Sequence, residues 1–121
     1  TAFPPVVYQN RVVQVAQCNN ALVFPGIGLG IFAVGASRLT KQMIWAASAA
    51  LSELSPSKKD SFLPLLPSLD DAQFVAKHIA LAVAKTAIET GLARRNQNKD
   101  LDKLIQEIFW EPRYLPFKLS Q

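Results

Sequence analysis

A mainly α chain with a short β hairpin at its N-terminus is predicted by three features of the sequence. Two β-rich runs, Val6-Val7-Tyr8 and Arg11-Val12-Val13-Gln14-Val15-Ala16, flank Gln9-Asn10, a pair suited to a tight turn. A glycine-dotted apolar stretch begins at Pro25, a residue fitted to the first turn of a helix because its missing N–H would be unpaired there. From about Leu69 to Thr90, Val75, Ile79, Ala82, Val83 and Ala87 form a stripe at helical spacing, and Gly91 follows to close it.

The elements follow in order. A two-stranded hairpin is marginal by itself, so it should lie along another part of the structure. The first helix is predicted from Pro25 to about Ala36, with Gly35 placed to help end it. Each glycine inside that helix costs up to about 1 kcal/mol relative to alanine, which suggests that Gly26, Gly28 and Gly30 let a backbone or ligand come close. Thr40 is the predicted N-cap of a second helix from Lys41 to about Leu54, with Met43, Ile44, Ala47, Ala50, Leu51 and Leu54 on one face. Trp45 falls off that stripe and reads as a contact anchor. Ser55-Pro56-Ser57 ends the helix, and the segment through Pro64 and Pro67 reads as a surface loop. In the third helix, Leu81, Ala84 and Ile88 add a second apolar strip, so more than one of its faces should meet a neighbour. Arg94 to Lys99 is a polar connector, and Asp100 to Trp110 is a fourth helix with Leu101, Leu104, Ile105 and Ile108 inward. The aromatic ending Phe109-Trp110-Glu111-Pro112-Arg113-Tyr114 should lie across a neighbouring surface.

Length and composition narrow the function classes. At 121 residues the chain can bury roughly 65% of its unfolded surface, enough for one domain. Hydrophobic residues at 50% against 18% charged suit a piece that packs on something larger. The formal net charge is +4, yet Arg11, Arg38, Lys41, Lys58, Lys59, Arg94 and Arg95 are scattered rather than striped, which argues against nucleic acid. No charged residue lies between Arg11 and Arg38, but the apolar part, Ala21 to Ala36, is short for a bilayer and carries Pro25 and four glycines, so a buried helix is expected and no membrane. Cys18 is the single cysteine, which excludes an internal disulfide and suits a reducing, cytoplasmic setting. With no histidine near it, Cys18 reads as a small buried filler rather than a nucleophile. A start at Thr1 fits a fragment or processed product.

Chemistry points to the stretch from Gln17 to Gly30. Asn19 and Asn20 can donate hydrogen bonds to a carboxylate without bringing charge, and the helix that begins just after them has a partially positive N-terminus. Gly26-x-Gly28-x-Gly30 falls short of the dinucleotide fingerprint because Ile31 occupies the third glycine position, so helix packing is the expected use. The first carboxylate in the chain is Glu53, which leaves this stretch without ligands for a hard divalent ion. His78, the single histidine, sits beside the third helix's stripe and reads as a boundary residue. Tyr8 and Tyr114 form no recognisable acid–base pair with the lysines. No catalytic and no metal-ligating residue is assigned.

The block Asn19-Asn20-Ala21-Leu22-Val23-Phe24-Pro25-Gly26-Ile27-Gly28-Leu29-Gly30, followed by Gly35-Ala36-Ser37-Arg38-Leu39-Thr40 and Met43, resembles the C-terminal part of bacterial-type NAD-dependent malic enzymes, the decarboxylating malate dehydrogenases. Ala2-Phe3-Pro4-Pro5-Val6 resembles the opening of that region, and Phe109-Trp110 with Tyr114 its aromatic ending, so the resemblance covers nearly the whole chain. It implies the C-terminal part of an α/β, Rossmann-like NAD-binding domain, with residues 1–54 ending that domain and 55–121 forming a helical extension. It also implies that Asn20 first, and Asn19 second, hold the carboxylate of malate or pyruvate, while the catalytic Tyr and Lys and the metal ligands lie upstream. NAD or NADP and Mg2+ or Mn2+ would serve the complete enzyme, with none bound by this segment alone and the rest of the enzyme chain as its partner in a homo-oligomer. One departure is Lys41-Gln42, where the family often has acidic residues that favour a helix N-terminus. The rival readings are a non-catalytic helical interaction module and a membrane-associated hairpin.

Overall fold

A computed structural model of the chain describes residues 3–111, 114 and 116. Strands β1 (Val6–Tyr8) and β2 (Arg11–Val13) pair antiparallel, with Val6 opposite Val13 and Tyr8 opposite Arg11. Gln9 and Asn10 take φ of 49° and 58°, so both turn residues are left-handed, as a two-residue turn that follows the strands' own twist requires. The second strand stops at Val13 rather than running to Ala16. Pro4 and Pro5, next in line on the first strand, have no N–H with which to extend the ladder. The hairpin rests on the 60–62 loop through the Arg11–Asp60 ion pair at 2.9 Å, with the Arg11 guanidinium 3.8 Å above the Phe62 ring.

Four helices follow: α1 (Phe24–Val34), α2 (Lys41–Glu53), α3 (Ala72–Glu89) and α4 (Leu101–Ile108). Thr40 caps α2 as expected, its hydroxyl accepting from the Met43 N–H at 3.3 Å. Asp100 does the same for α4, accepting from the Asp102 and Lys103 N–H groups at 3.1 and 3.3 Å. The third helix starts later than predicted, because Leu69–Asp71 forms a 3-10 turn capped by Ser68.

The core gathers around α3, which packs against α1, α2 and α4. Val75, Ile79, Val83 and Ala87 are fully buried along it, facing Ile27, Ala33 and Val34 of α1, Met43, Ala47 and Ala50 of α2, and Leu104 and Ile105 of α4. Ala82, predicted in the same stripe, is only half-buried. Ile44, one position round from Met43, faces solvent. Two glycines let α1 and α3 come into contact at backbone range. A Cβ at Gly26 would stand 2.7 Å from the Ile79 Cβ, and one at Gly30 would stand 2.6 Å from the Ala80 carbonyl oxygen.

The polar connector predicted at 94–99 has a structural task that the sequence reading missed. Gly35 ends α1 at φ 57°, and the last carbonyls of that helix are met from the far end of α3. The Val34 oxygen accepts from the Arg94 and Arg95 N–H groups at 3.0 and 3.1 Å, the Ala33 oxygen from the Asn96 carboxamide at 2.8 Å, and the Phe32 oxygen from the Arg95 guanidinium. Helix ends need such partners when no further turn supplies them.

A further expectation is corrected. Cys18 is exposed, not buried, because it lies in the extended segment after β2, where none of the described elements covers it. In the aromatic ending Trp110 and Tyr114 are exposed, and Phe109 packs half-buried beneath the Lys77 ammonium at 4.5 Å. Pro112 and Arg113 from that ending, and Ala2 from the opening motif, lie outside the described residues. None of the helices among the described residues is long and apolar enough to cross a membrane.

Candidate functional site

The two neighbouring carboxamides stand at the joint between the hairpin segment and the helices, and their surroundings differ. Asn19 is extended (φ −125°, ψ 135°) and half-buried, and it caps the 3-10 turn Asn20–Leu22. Its Oδ1 accepts the Ala21 N–H at 2.9 Å and its backbone oxygen the Leu22 N–H at 3.1 Å. Asn, with an acceptor three bonds from Cα, is suited to this local capture of a backbone donor. Asn20 contributes its backbone carbonyl to the Val23 N–H at 3.0 Å and leaves its side chain exposed. Leu22, fully buried between them and α1, pins the turn against the core.

Immediately beyond the turn, α1 begins at Phe24 with Pro25 in its first turn, no side-chain cap at Val23 and no acidic residue nearby. Positive partial charge at that end is therefore not neutralised from within the helix. A neutral, solvent-facing amide donor one turn ahead of an uncapped helix start can bond an organic anion, and it cannot act as acid, base or nucleophile.

The glycines, His78 and Tyr8 have other surroundings. Gly26 and Gly30 are taken up by contact with α3, and Ile31 stands where the dinucleotide fingerprint has its third glycine. Among the described residues no three of the His, Cys, Asp and Glu side chains come together as a metal site. His78 bonds Glu53 across the α2–α3 seam, Nε2 to Oε2 at 3.1 Å, a boundary position in keeping with its place beside the stripe. Tyr8 lies on the hairpin near Phe62, ring centroids 6.4 Å apart, far in sequence from any lysine partner.

The class of protein follows from likeness to an NAD-binding domain over most of the chain. The family model described as malic enzyme, NAD binding domain, matches residues 1–88. Over 116 residues the chain is 47% identical to the NAD-dependent malic enzyme of Shewanella frigidimarina (strain NCIMB 400), covering 96% of this chain and 21% of that protein. The same identity and coverage hold for the enzymes so named from Shewanella sediminis (strain HAW-EB3) and Shewanella loihica (strain ATCC BAA-1088 / PV-4). The chain belongs to the malic enzyme family and spans about a fifth of the length of these curated relatives.

Proposed function

We propose that this chain is the C-terminal segment of an NAD-dependent malic enzyme, which oxidatively decarboxylates (S)-malate to pyruvate and CO2 in the cytoplasm. In this reading residues 1–54 complete the NAD-binding domain, and residues 55–121 form a helical extension whose helix α3 packs back on α1 and α2. Asn20 donates its amide N–H to the substrate carboxylate at the rim of the active site. Asn19 holds the loop and serves the substrate second. The hydride acceptor is NAD, and a bound Mg2+ or Mn2+ would polarise the substrate carbonyl. The acid, the base and the metal ligands come from the rest of the polypeptide, in an enzyme that assembles as a homo-oligomer.

The observation that carries the reading is the contrast between the two amides: Asn19 already bonds Ala21, whereas Asn20 stands exposed just ahead of an uncapped helix N-terminus. In the complete enzyme, Asn20→Ala is expected to raise the malate KM or lower kcat by the equivalent of about 1–3 kcal/mol, with the KM for NAD unmoved. The 121-residue chain alone is expected to give no malate-dependent NADH. Unchanged malate kinetics in the variant would reduce Asn20 to loop scaffolding.

A further inference from the structure

We infer that the face of α1 marked by Phe24, Gly28 and Phe32 is a docking surface for the part of the same malic-enzyme polypeptide that lies outside this chain. The three residues are spaced four apart and so share one side of the helix. Phe24 is 62% and Phe32 61% exposed, an unusual state for two phenylalanines on one helix face. Between them stands Gly28, and it is the odd member of the helix's glycines. Gly26 and Gly30 earn their places against α3, where a Cβ would overlap Ile79, Ala80 and Val83, whereas a Cβ at Gly28 would meet open space. Glycine inside a helix is unfavourable by itself, so a third glycine with nothing above it signals a surface that something else approaches closely. A ring stands one turn to either side of it, Phe32 with the Arg95 guanidinium 4.8 Å from its centre and still 61% exposed.

The occupant follows from the comparison of lengths. The relatives carry most of their chain beyond the stretch matched here, and the matched family model is a single NAD-binding domain whose phosphate-binding turn this segment lacks. The remainder of that domain must pack on the segment that completes it, and the opposite side of α1 is already taken by α3. The inference rests on the proposal that the chain is part of a longer malic enzyme, and it does not depend on the role of Asn20.

The test uses the full-length enzyme. Hydroxyl-radical footprinting of the wild type should oxidise Phe24 and Phe32 several-fold more slowly than their exposure in this segment predicts. A photoreactive benzophenone side chain in place of Phe32 should cross-link within its own polypeptide, giving an adduct of monomer size on a denaturing gel. Gly28→Ala should lower the melting temperature, because the added methyl enters an occupied contact. Phenylalanines that oxidise at the exposed rate, cross-linked dimers, or a Gly28→Ala variant with an unchanged or higher melting temperature would each overturn the inference. None of these readouts measures malate binding, so they stand apart from the Asn20 kinetics.

Discussion

Gly26 and Gly28 lie two residues apart on one helix, and the same substitution should act on them for different reasons. At Gly26 the new methyl would be set 2.7 Å from the Ile79 Cβ and 2.8 Å from the Ala76 carbonyl oxygen. Neither is the loose end of a flexible side chain, so α1 and α3 must separate to admit it. Gly26→Ala is expected to destabilise the complete enzyme by about 1–3 kcal/mol, outweighing the roughly 1 kcal/mol that alanine gains from helix propensity. Thermal or denaturant unfolding reads the sign directly, and a gain in stability would mean that the two helices are not in contact at that point. The carboxamides teach a related lesson. Asn19 and Asn20 look alike in sequence, and their difference arises from one turn of backbone that presents the Ala21 N–H to Asn19 alone.

At the scale of elements, α2 begins with a sound cap and an unsuitable charge. Thr40 meets the Met43 N–H, while Lys41 places a cation in the first turn, where no acidic residue balances it. Lys41→Glu is expected to stabilise α2 by about 0.3–1 kcal/mol, seen as slower amide exchange in its first turns and lost at high salt. Faster exchange would show that Lys41 serves a contact beyond this chain. Helix periodicity and end signals made most of these elements readable in advance: Gly35, Thr40 and Gly91 stand at the ends of helices within a residue of expectation, and Val75, Ile79, Val83 and Ala87 are buried as the stripe required. What escaped the sequence was long-range. Nothing local tells that Arg94, Arg95 and Asn96 would serve α1, although Asn96 at φ 58° is the kind of residue that tolerates the sharp bend involved. Cys18 is exposed although its residue type is commonly buried, since burial depends on whether any element covers it. At the candidate site, the Asn pair and the helix start were legible, whereas the division between the two side chains came from turn geometry.

Across the whole molecule, the hairpin is held to the helical body by an exposed contact that acid should weaken. The Phe62 N–H bonds the Asp60 carboxylate at 2.9 Å and the Arg11 guanidinium pairs with it, together holding its pKa below the usual 3.8. A group whose folded pKa is depressed contributes stability that is present above its unfolded value and is lost as pH falls through the folded one. Asp60→Asn should therefore melt below the wild type near neutral pH and converge with it in strong acid, with a gap that narrows as salt is added. A constant difference across that range would assign the effect to packing rather than charge.

The clasp at the end of α1 also bears on how the chain is made. Val34 and Ala33 leave the ribosome long before Arg94 and Asn96, the donors their carbonyls require, and the bond from Asn96 to Ala33 closes over 63 positions. During synthesis the first helix is thus left with a ragged end, and its glycines have no α3 to lie against until residues 72–89 have emerged. A polypeptide made only as far as residue 93 lacks the donors for those carbonyls, so the start of this helical body is finished by its far end.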